Sequence, residues 1–239
     1  MLRRRPLGEA DEVVTCLSPT EGKLDAAVRG SRRSSSRLVG LLEPFTHLQA
    51  QLVRGRSLDT LTQARAVKSF RPLRENLDLL VSGSYLLELW AGCLPFREPS
   101  RRAFSLLLTG LEHLCQGIHP DLLCRWLELQ LVDELGYAPQ VAPCCSCGRP
   151  PRQGGYFSPQ LGELACRSCG PPAPDALRLG SQTISALWHL RRMQPGELQG
   201  RSPSPGLARE LEGVLRAHLS YHWPQAAGSF RVLRSLRAV

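Results

Sequence analysis

Two cysteine pairs constrain this chain more than any other feature. Cys144-x-x-Cys147 and Cys166-x-x-Cys169 are separated by 18 residues, inside the ~15–20 spacing of metal sites built from two such pairs. Gly148 and Gly170 follow the pairs directly, which suits tight knuckles. Gly154-Gly155-Tyr156-Phe157, Ser158-Pro159 and Glu163-Leu164-Ala165 read as a hairpin between them. The pattern predicts a zinc-ribbon-like insert over about residues 143–171, holding one Zn²⁺ through Cys144, Cys147, Cys166 and Cys169. Zinc takes four tetrahedral ligands, and four thiolates close its shell. The ion is therefore expected to be structural, with no position left for a reacting water.

The other five cysteines carry less. Cys145 adjoins the first knuckle, but the spacing favours Cys144 as the ligand. Cys93, Cys115 and Cys124 fall in helical segments and Cys16 in a strand, where a thiol is by default a small core residue. His218 and His222 share a helix face at a spacing of four, yet no carboxylate or cysteine is placed to complete a metal site with them. Of the 239 residues 42% are hydrophobic and 21% charged, as in packed globular proteins, so wholesale disorder is excluded. The most apolar stretch, Leu77 to Phe96, is interrupted by Asp78 and Glu88 and does not read as a membrane span. Pro6, Gly8, Glu9, Asp11 and Glu12 follow Arg3-Arg4-Arg5 where a secretory signal needs an apolar core. The expected compartment is the cytoplasm, where cysteines are thiols or metal ligands rather than disulfides.

Charge is divided unevenly. Residues 1–70 hold 12 basic and 7 acidic groups, residues 71–142 hold 6 and 9, and residues 143–239 hold 12 and 5. Two basic segments flank an acidic one. Lys23 and Lys68 are the only lysines; this arginine bias follows from a GC-rich coding sequence as readily as from phosphate recognition. In residues 1–70 short β-branched runs alternate with turns: Glu12–Leu17, Lys23–Arg29, Phe45–Val53 and Ser57–Val67. Leu48, Ala50 and Leu52 alternate with His47, Gln49 and Gln51. About five such strands predict a small barrel of the OB type. Its sharpest feature is the acid-free run Arg29-Gly30-Ser31-Arg32-Arg33-Ser34-Ser35-Ser36-Arg37. Arg29, Arg32, Arg33 and Arg37, with Arg54 and Arg56 on another turn, are the candidate DNA contacts. Phe45 and Phe70 are the only aromatics in this segment, so binding through phosphates rather than base stacking is expected.

Beyond residue 70 the pattern is helical. Pro72 to Leu94 places Leu73, Leu77, Val81, Tyr85 and Leu89 at fourfold spacing. Ser100 caps a second helix, and His119-Pro120 opens a third that ends at Gly136. A fourth covers about Thr183–Met193, residues 194–206 are a loop, and Ser204-Pro205 starts the last. The fold class is α+β: an OB-fold over residues 1–70, then a helical domain over 71–239 that contains the cysteine insert. The catalytic motifs of hydrolases, zinc proteases, P-loop enzymes and dinucleotide-binding enzymes are absent.

Several stretches resemble the RecO family of bacterial DNA repair and recombination mediators. They are Arg4-Arg5-Pro6-Leu7-Gly8-Glu9-Ala10-Asp11, Val28-Arg29-Gly30-Ser31-Arg32-Arg33, Leu41-Leu42-Glu43-Pro44-Phe45 and Arg56-Ser57-Leu58-Asp59-Thr60-Leu61. Leu135-Gly136-Tyr137-Ala138-Pro139, Cys144-x-x-Cys147-Gly148, Tyr221-His222 and Leu233-Arg234-Ser235-Leu236 extend the likeness to the C-terminal end. The resemblance implies an N-terminal OB-fold, a helical domain with a zinc-binding insert, and no covalent chemistry. It implies binding of single- and double-stranded DNA, strand annealing, contact with the acidic C-terminal tail of single-strand-binding protein, pairing with RecR and assistance to RecA, at the nucleoid in the cytoplasm. Arg125 is the candidate grip on that acidic tail. Two other readings remain: a zinc-dependent enzyme acting on nucleic acid, and a protein-only adaptor.

Overall fold

The structure, a computed structural model, describes residues 1–32, 39–226 and 228. Contacts divide it into two compact units, one spanning Met1–Cys115 and one beginning at Gln116.

The first unit opens with strands β1 (Arg3–Leu7), β2 (Asp11–Ser18), β3 (Gly22–Val28), β4 (Thr46–Val53) and β5 (Asp59–Ser69). They form one sheet in the order β1-β2-β3-β5-β4. Its pairs are antiparallel except β3–β5, which runs parallel through Ala26↔Asp59 and Ala27↔Thr60. Successive hairpins and one crossover give the OB-type Greek-key arrangement. Alternation sends Val14, Leu24, Ala26, Val28 and Leu61 into a shared core that Leu42, from the segment before β4, completes, with Leu48 and Leu52 packed against it. Gln49 and Gln51 stay outside. Gly22 has φ +70, and a Cβ there would lie 2.4 Å from the Glu98 carbonyl oxygen, so only glycine fits this turn. Phe45 and Phe70 are buried, at 1% and 2% exposure, and neither is a platform for bases.

Three helices belong to the same unit: α1 (Pro72–Glu75), α2 (Leu77–Cys93) and α3 (Arg101–Cys115). Contacts thus hold strands and helices together past the strand-to-helix change near residue 70. The single helix expected over 72–94 is broken at Asn76. That residue is extended (φ −124, ψ 125), and its side chain caps α2 by accepting from the Leu79 N–H. The break displaces Leu77, which is 58% exposed, while Leu73, Val81, Tyr85 and Leu89 are buried. Ser100 caps α3 as expected, accepting from the Ala103 N–H at 2.9 Å.

The second unit contains α4 (Pro120–Glu134), β6 (Gly155–Ser158), β7 (Glu163–Cys166), β8 (Leu177–Leu179), α5 (Ser181–Leu190) and α6 (Pro205–His222). β6 and β7 are the expected hairpin; β8 adds a third antiparallel strand on the far side of β6. Its three residues follow a Pro-rich stretch and are too short to show a period. Every residue of α4 from Leu122 to Val132 is buried. This is a helix enclosed on all sides rather than one presenting a polar face. Gly136 ends it at φ +82. Among the described residues no helix is long and apolar enough to cross a membrane.

Candidate metal centre and nucleic-acid surface

The cysteine module gathers its ligands from two turns. Cys144 and Cys147 lie on a turn closed by Gly148 N–H donating to the Cys144 carbonyl at 2.9 Å. Cys166 ends β7, and Cys169 follows on a second turn whose N–H donates to the Cys166 carbonyl at 3.1 Å. Gly148 and Gly170 have φ +68 and +78, the left-handed geometry that lets each turn close. The four Sγ atoms lie within 4.8 Å of one another, and those of Cys147 and Cys166 are 3.8 Å apart. Sulfurs arranged tetrahedrally around a metal at ~2.3 Å have edges of ~3.8 Å, so the four residues fit a metal ion.

The surroundings favour thiolates. The Cys166 N–H donates to Cys144 Sγ at 3.2 Å, and this bond leads in pulling the Cys144 thiol down. The Ser168 hydroxyl, 3.1 Å from Cys166 Sγ, leads in pulling Cys166 down to about 6. The Arg149 side chain donates to Cys147. Cys169 moves the other way, pushed up to about 12 chiefly by its bond to Cys166 and then by Cys147. Adjacent thiolates repel, so the charge settles unevenly among them. A divalent cation removes that conflict. Cys145 is exposed and turned toward Ser146, outside the cluster.

His218 and His222 face elsewhere. The ring nitrogens of His218 meet the carbonyls of Pro159 (3.0 Å) and Tyr137 (2.8 Å), and His222 Nε2 meets the Pro159 carbonyl at 3.1 Å. These contacts tie α6 to the β6–β7 turn within the second unit. Neither histidine belongs to the four-cysteine cluster.

The described part of the arginine loop is a built turn. The Gly30 N–H donates to the Asp11 carboxylate at 2.8 Å. The Arg32 N–H donates to the Ala10 carbonyl at 3.0 Å, and Arg32 Nη1 reaches the Gly8 carbonyl at 3.2 Å. Arg29 lies 3.7 Å from Asp11, with its side chain 78% exposed. Such an exposed pair is worth little and leaves Arg29 available to an anion. Arg33 and Arg37 lie outside the described residues. Arg54 and Arg56 are exposed on the β4–β5 turn, which Gly55 anchors by donating to Asp59 at 3.2 Å. The Arg97 guanidinium, 2.5 Å from Asp59, holds that carboxyl below its usual range.

Arg29 follows β3 just beyond the parallel pairs Ala26↔Asp59 and Ala27↔Thr60, and Arg54 and Arg56 lie on the turn that precedes them in β5.

Arg125 departs from expectation. It is 3% exposed, and its Nη2 lies 2.6 Å from Glu128 Oε1, one turn along α4. The fold therefore does not present Arg125 as an exposed grip for an acidic tail. A buried cation needs a buried partner, and Glu128 supplies it. The signal was legible: Arg125 and Glu128 sit at i,i+3 inside the run Leu122–Val132.

Sequence reasoning missed a groove in the second unit. It measures about 1220 Å³, and its lining includes Leu122, Ile184, Trp188, Met193, Arg152 and Arg201 and no acidic residue. Trp188 is 37% exposed, and the Arg192 guanidinium stacks over its ring at 4.0 Å. Its walls come from segments distant in sequence, which no local pattern brings together.

Comparison with known proteins covers nearly the whole chain. Residues 1–70 match the family described as Recombination protein O N terminal, and residues 74–229 match Recombination protein O C terminal. The chain is 36% identical to the DNA repair protein RecO of Symbiobacterium thermophilum over 246 residues, covering 100% of this chain and 96% of that protein. It is 36% identical to the DNA repair protein RecO of Roseiflexus sp., covering 92% and 78%. It is 34% identical to the DNA repair protein RecO of Cutibacterium acnes, covering 98% and 96%.

Proposed function

The chain belongs to the RecO family, and from that premise we propose that it is a non-enzymatic recombination mediator that binds single- and double-stranded DNA through its OB-type sheet. Membership supports a role in DNA repair. The observation that carries the mechanism is the pair of exposed arginine turns, Arg29 with Arg32 and Arg54 with Arg56, in a segment whose own aromatics, Phe45 and Phe70, are buried. Phosphates are held and bases stay free to pair, so neutralising repulsion between two strands promotes annealing. RecR and RecA are the proposed partners in exchanging single-strand-binding protein for recombinase. Cytoplasmic, nucleoid-associated localisation follows from that role.

The four cysteines hold zinc in this reading. When bound, zinc cross-links the two turns as a closed four-sulfur centre and supplies no catalytic water. The residues themselves hold the ion, and Arg149 and Ser168 steady the thiolates. The rival reading, a zinc-dependent enzyme acting on nucleic acid, needs an open ligand position that this donor set does not offer.

The groove takes the place that Arg125 was expected to fill. Apolar walls, Arg152, Arg201 and the absence of acidic lining residues suit an acidic peptide with an apolar anchor, and the tail of single-strand-binding protein is the proposed occupant. The decisive experiment measures annealing of naked and single-strand-binding-protein-coated oligonucleotides, with zinc content on the same sample. With four to five phosphates neutralised, the log–log salt slope on single strands is expected at roughly −3 to −3.5. Affinity that barely changes with salt overturns the phosphate mechanism. Tail-peptide affinity that survives Arg152→Glu with Arg201→Glu moves the partner site elsewhere.

A further inference from the structure

The last helix carries a buried histidine that neither the metal centre nor the arginine turns use. His218 is 1% exposed. Both of its ring nitrogens meet carbonyl oxygens: Nδ1 that of Pro159 at 3.0 Å and Nε2 that of Tyr137 at 2.8 Å. A carbonyl oxygen can only accept, so each contact is a hydrogen bond only where the nitrogen carries a hydrogen. A neutral imidazole has one N–H. In that form the other nitrogen turns a lone pair toward an oxygen at hydrogen-bond distance, and the two repel. The imidazolium has two N–H groups and satisfies both carbonyls at once.

The surroundings suit one cation and one neutral ring. α6 runs from Pro205 to His222, and His218 lies one turn from its carboxyl end, the end at which the helix dipole favours positive charge. The His222 ring is 4.7 Å from that of His218, and its Nε2 meets the same Pro159 carbonyl at 3.1 Å. One N–H is enough for that contact. Burial, and after it the charge of His218, pushes His222 down, toward the neutral form. The charged groups of the neighbouring elements are turned to other partners or lie on the rim. Asp175 holds the Ser158 hydroxyl and the Gln160 N–H on either side of Pro159, Asp133 near the end of α4 pairs with Arg191, and Glu163 is exposed at the start of β7. Glu134 closes α4, and Glu212, Arg216 and Tyr221 lie on α6 itself. Tyr137 places its ring 4.7 Å from that of His222. Among the described residues no carboxylate forms an ion pair with either histidine.

We propose that His218 is a proton-operated clasp: as an imidazolium it ties α6 to the carbonyls of Tyr137 and Pro159 together, and loss of one proton releases one of them. Both carbonyls belong to the frame of the cysteine module. Pro159 sits on the turn from which β7 runs to Cys166. Tyr137 shortly precedes Gln140, whose N–H donates to the Gly162 carbonyl of that turn at 2.7 Å. The clasped state holds one more proton than the released state, so acid tightens the turn against α6 and alkali loosens it.

The test uses the full chain loaded with Zn²⁺. Nitrogen NMR of its histidine side chains from about pH 5 to about pH 8 counts the N–H groups of each ring. His218 is expected to show two at the acid end and one at the alkaline end. Over the same range, peptide-resolved hydrogen exchange, corrected for its intrinsic pH dependence, is expected to show the β6–β7 turn losing protection by roughly tenfold, the scale of one charge-assisted hydrogen bond. His218→Gln is expected to remove that pH response, and His222→Gln, which leaves both His218 contacts in place, to retain it. A His218 ring that holds the same number of N–H groups throughout, or protection that does not fall as the proton leaves, overturns the clasp. So does a response that persists in His218→Gln or vanishes in His222→Gln. The two measurements on the native chain need no substitution, so they decide the matter even where His218→Gln fails to fold.

Discussion

The five-stranded sheet and the cysteine module are both small β-structures, yet they are held together by different means. The sheet closes over six buried apolar side chains from β2, β3, β5 and the segment before β4. The module's own cluster is Cys144, Ala165 and Cys166, with Cys147 packed against it. The hairpin also buries Phe157 and Leu164, but the two turns themselves hide only these small residues, too little apolar surface to offset their ordering. The cysteines that would be core residues elsewhere stand here within 4.8 Å of one another and could hold a metal ion. The sheet is held by what it hides from water, whereas the two turns of the module would be held by what they can bind.

The largest expected effect separates the two directly. Structural zinc contributes about 10–16 kcal/mol in small modules, so a strong chelator, or Cys166→Ser, is expected to unfold the module and leave the sheet folded. Limited proteolysis with metal analysis checks this: cleavage confined to about residues 143–179 sustains the comparison, and loss of both regions together breaks it. A core substitution is the reciprocal experiment. Leu61, 3% exposed, changed to Ala is expected to cost about 2–5 kcal/mol with metal content unchanged. Gly148→Ala is a smaller perturbation. The space around Gly148 is open, but its φ is +68, so only backbone strain of ~1–2 kcal/mol opposes a side chain. Faster metal loss to a chelator is the expected readout, with no change in sheet stability.

The smallest effect is a titration within the first unit. Asp59 is held below its ordinary value of 3.8, first by its bond to Arg97 and also by the Gly55 N–H. A carboxyl lowered on folding contributes stability above its unfolded value, and that contribution fades as pH falls through the folded one. Thermal melts of Asp59→Asn against the native chain should therefore differ at neutral pH and converge as the pH is taken well below 3.8. A gap that persists in acid would assign the effect to shape rather than charge.

Much of this was legible locally. The cysteine spacing, the two glycines after the pairs and the hairpin between them specify the module, because a metal knuckle is a short-range geometry. The alternation of Leu48 and Leu52 with Gln49 and Gln51 separates inside from outside, because successive strand residues face opposite sides. The caps at Ser100 and Gly136 follow from backbone groups that need partners within a few residues. Asn76 broke an expected helix because a fourfold spacing is satisfied equally by two shorter helices, and the capping side chain decided between them. β8 escaped notice because three residues carry no period.

The charges show the limit. Sequence counted 30 basic and 21 acidic groups and marked arginine-rich turns, and it determined the α+β order and the four cysteines that come together. Tertiary structure alone decided which of those charges face solvent. It enclosed Arg125 against Glu128 because α4 is surrounded by apolar neighbours, and an unpaired cation there would be costly. It brought β3 beside β5 through one short parallel pairing, and it assembled the groove from segments far apart in sequence. Spacing along the chain records bonds made over a few residues. Exposure and juxtaposition depend on which distant segments pack together, and the chain acquires those only when it folds.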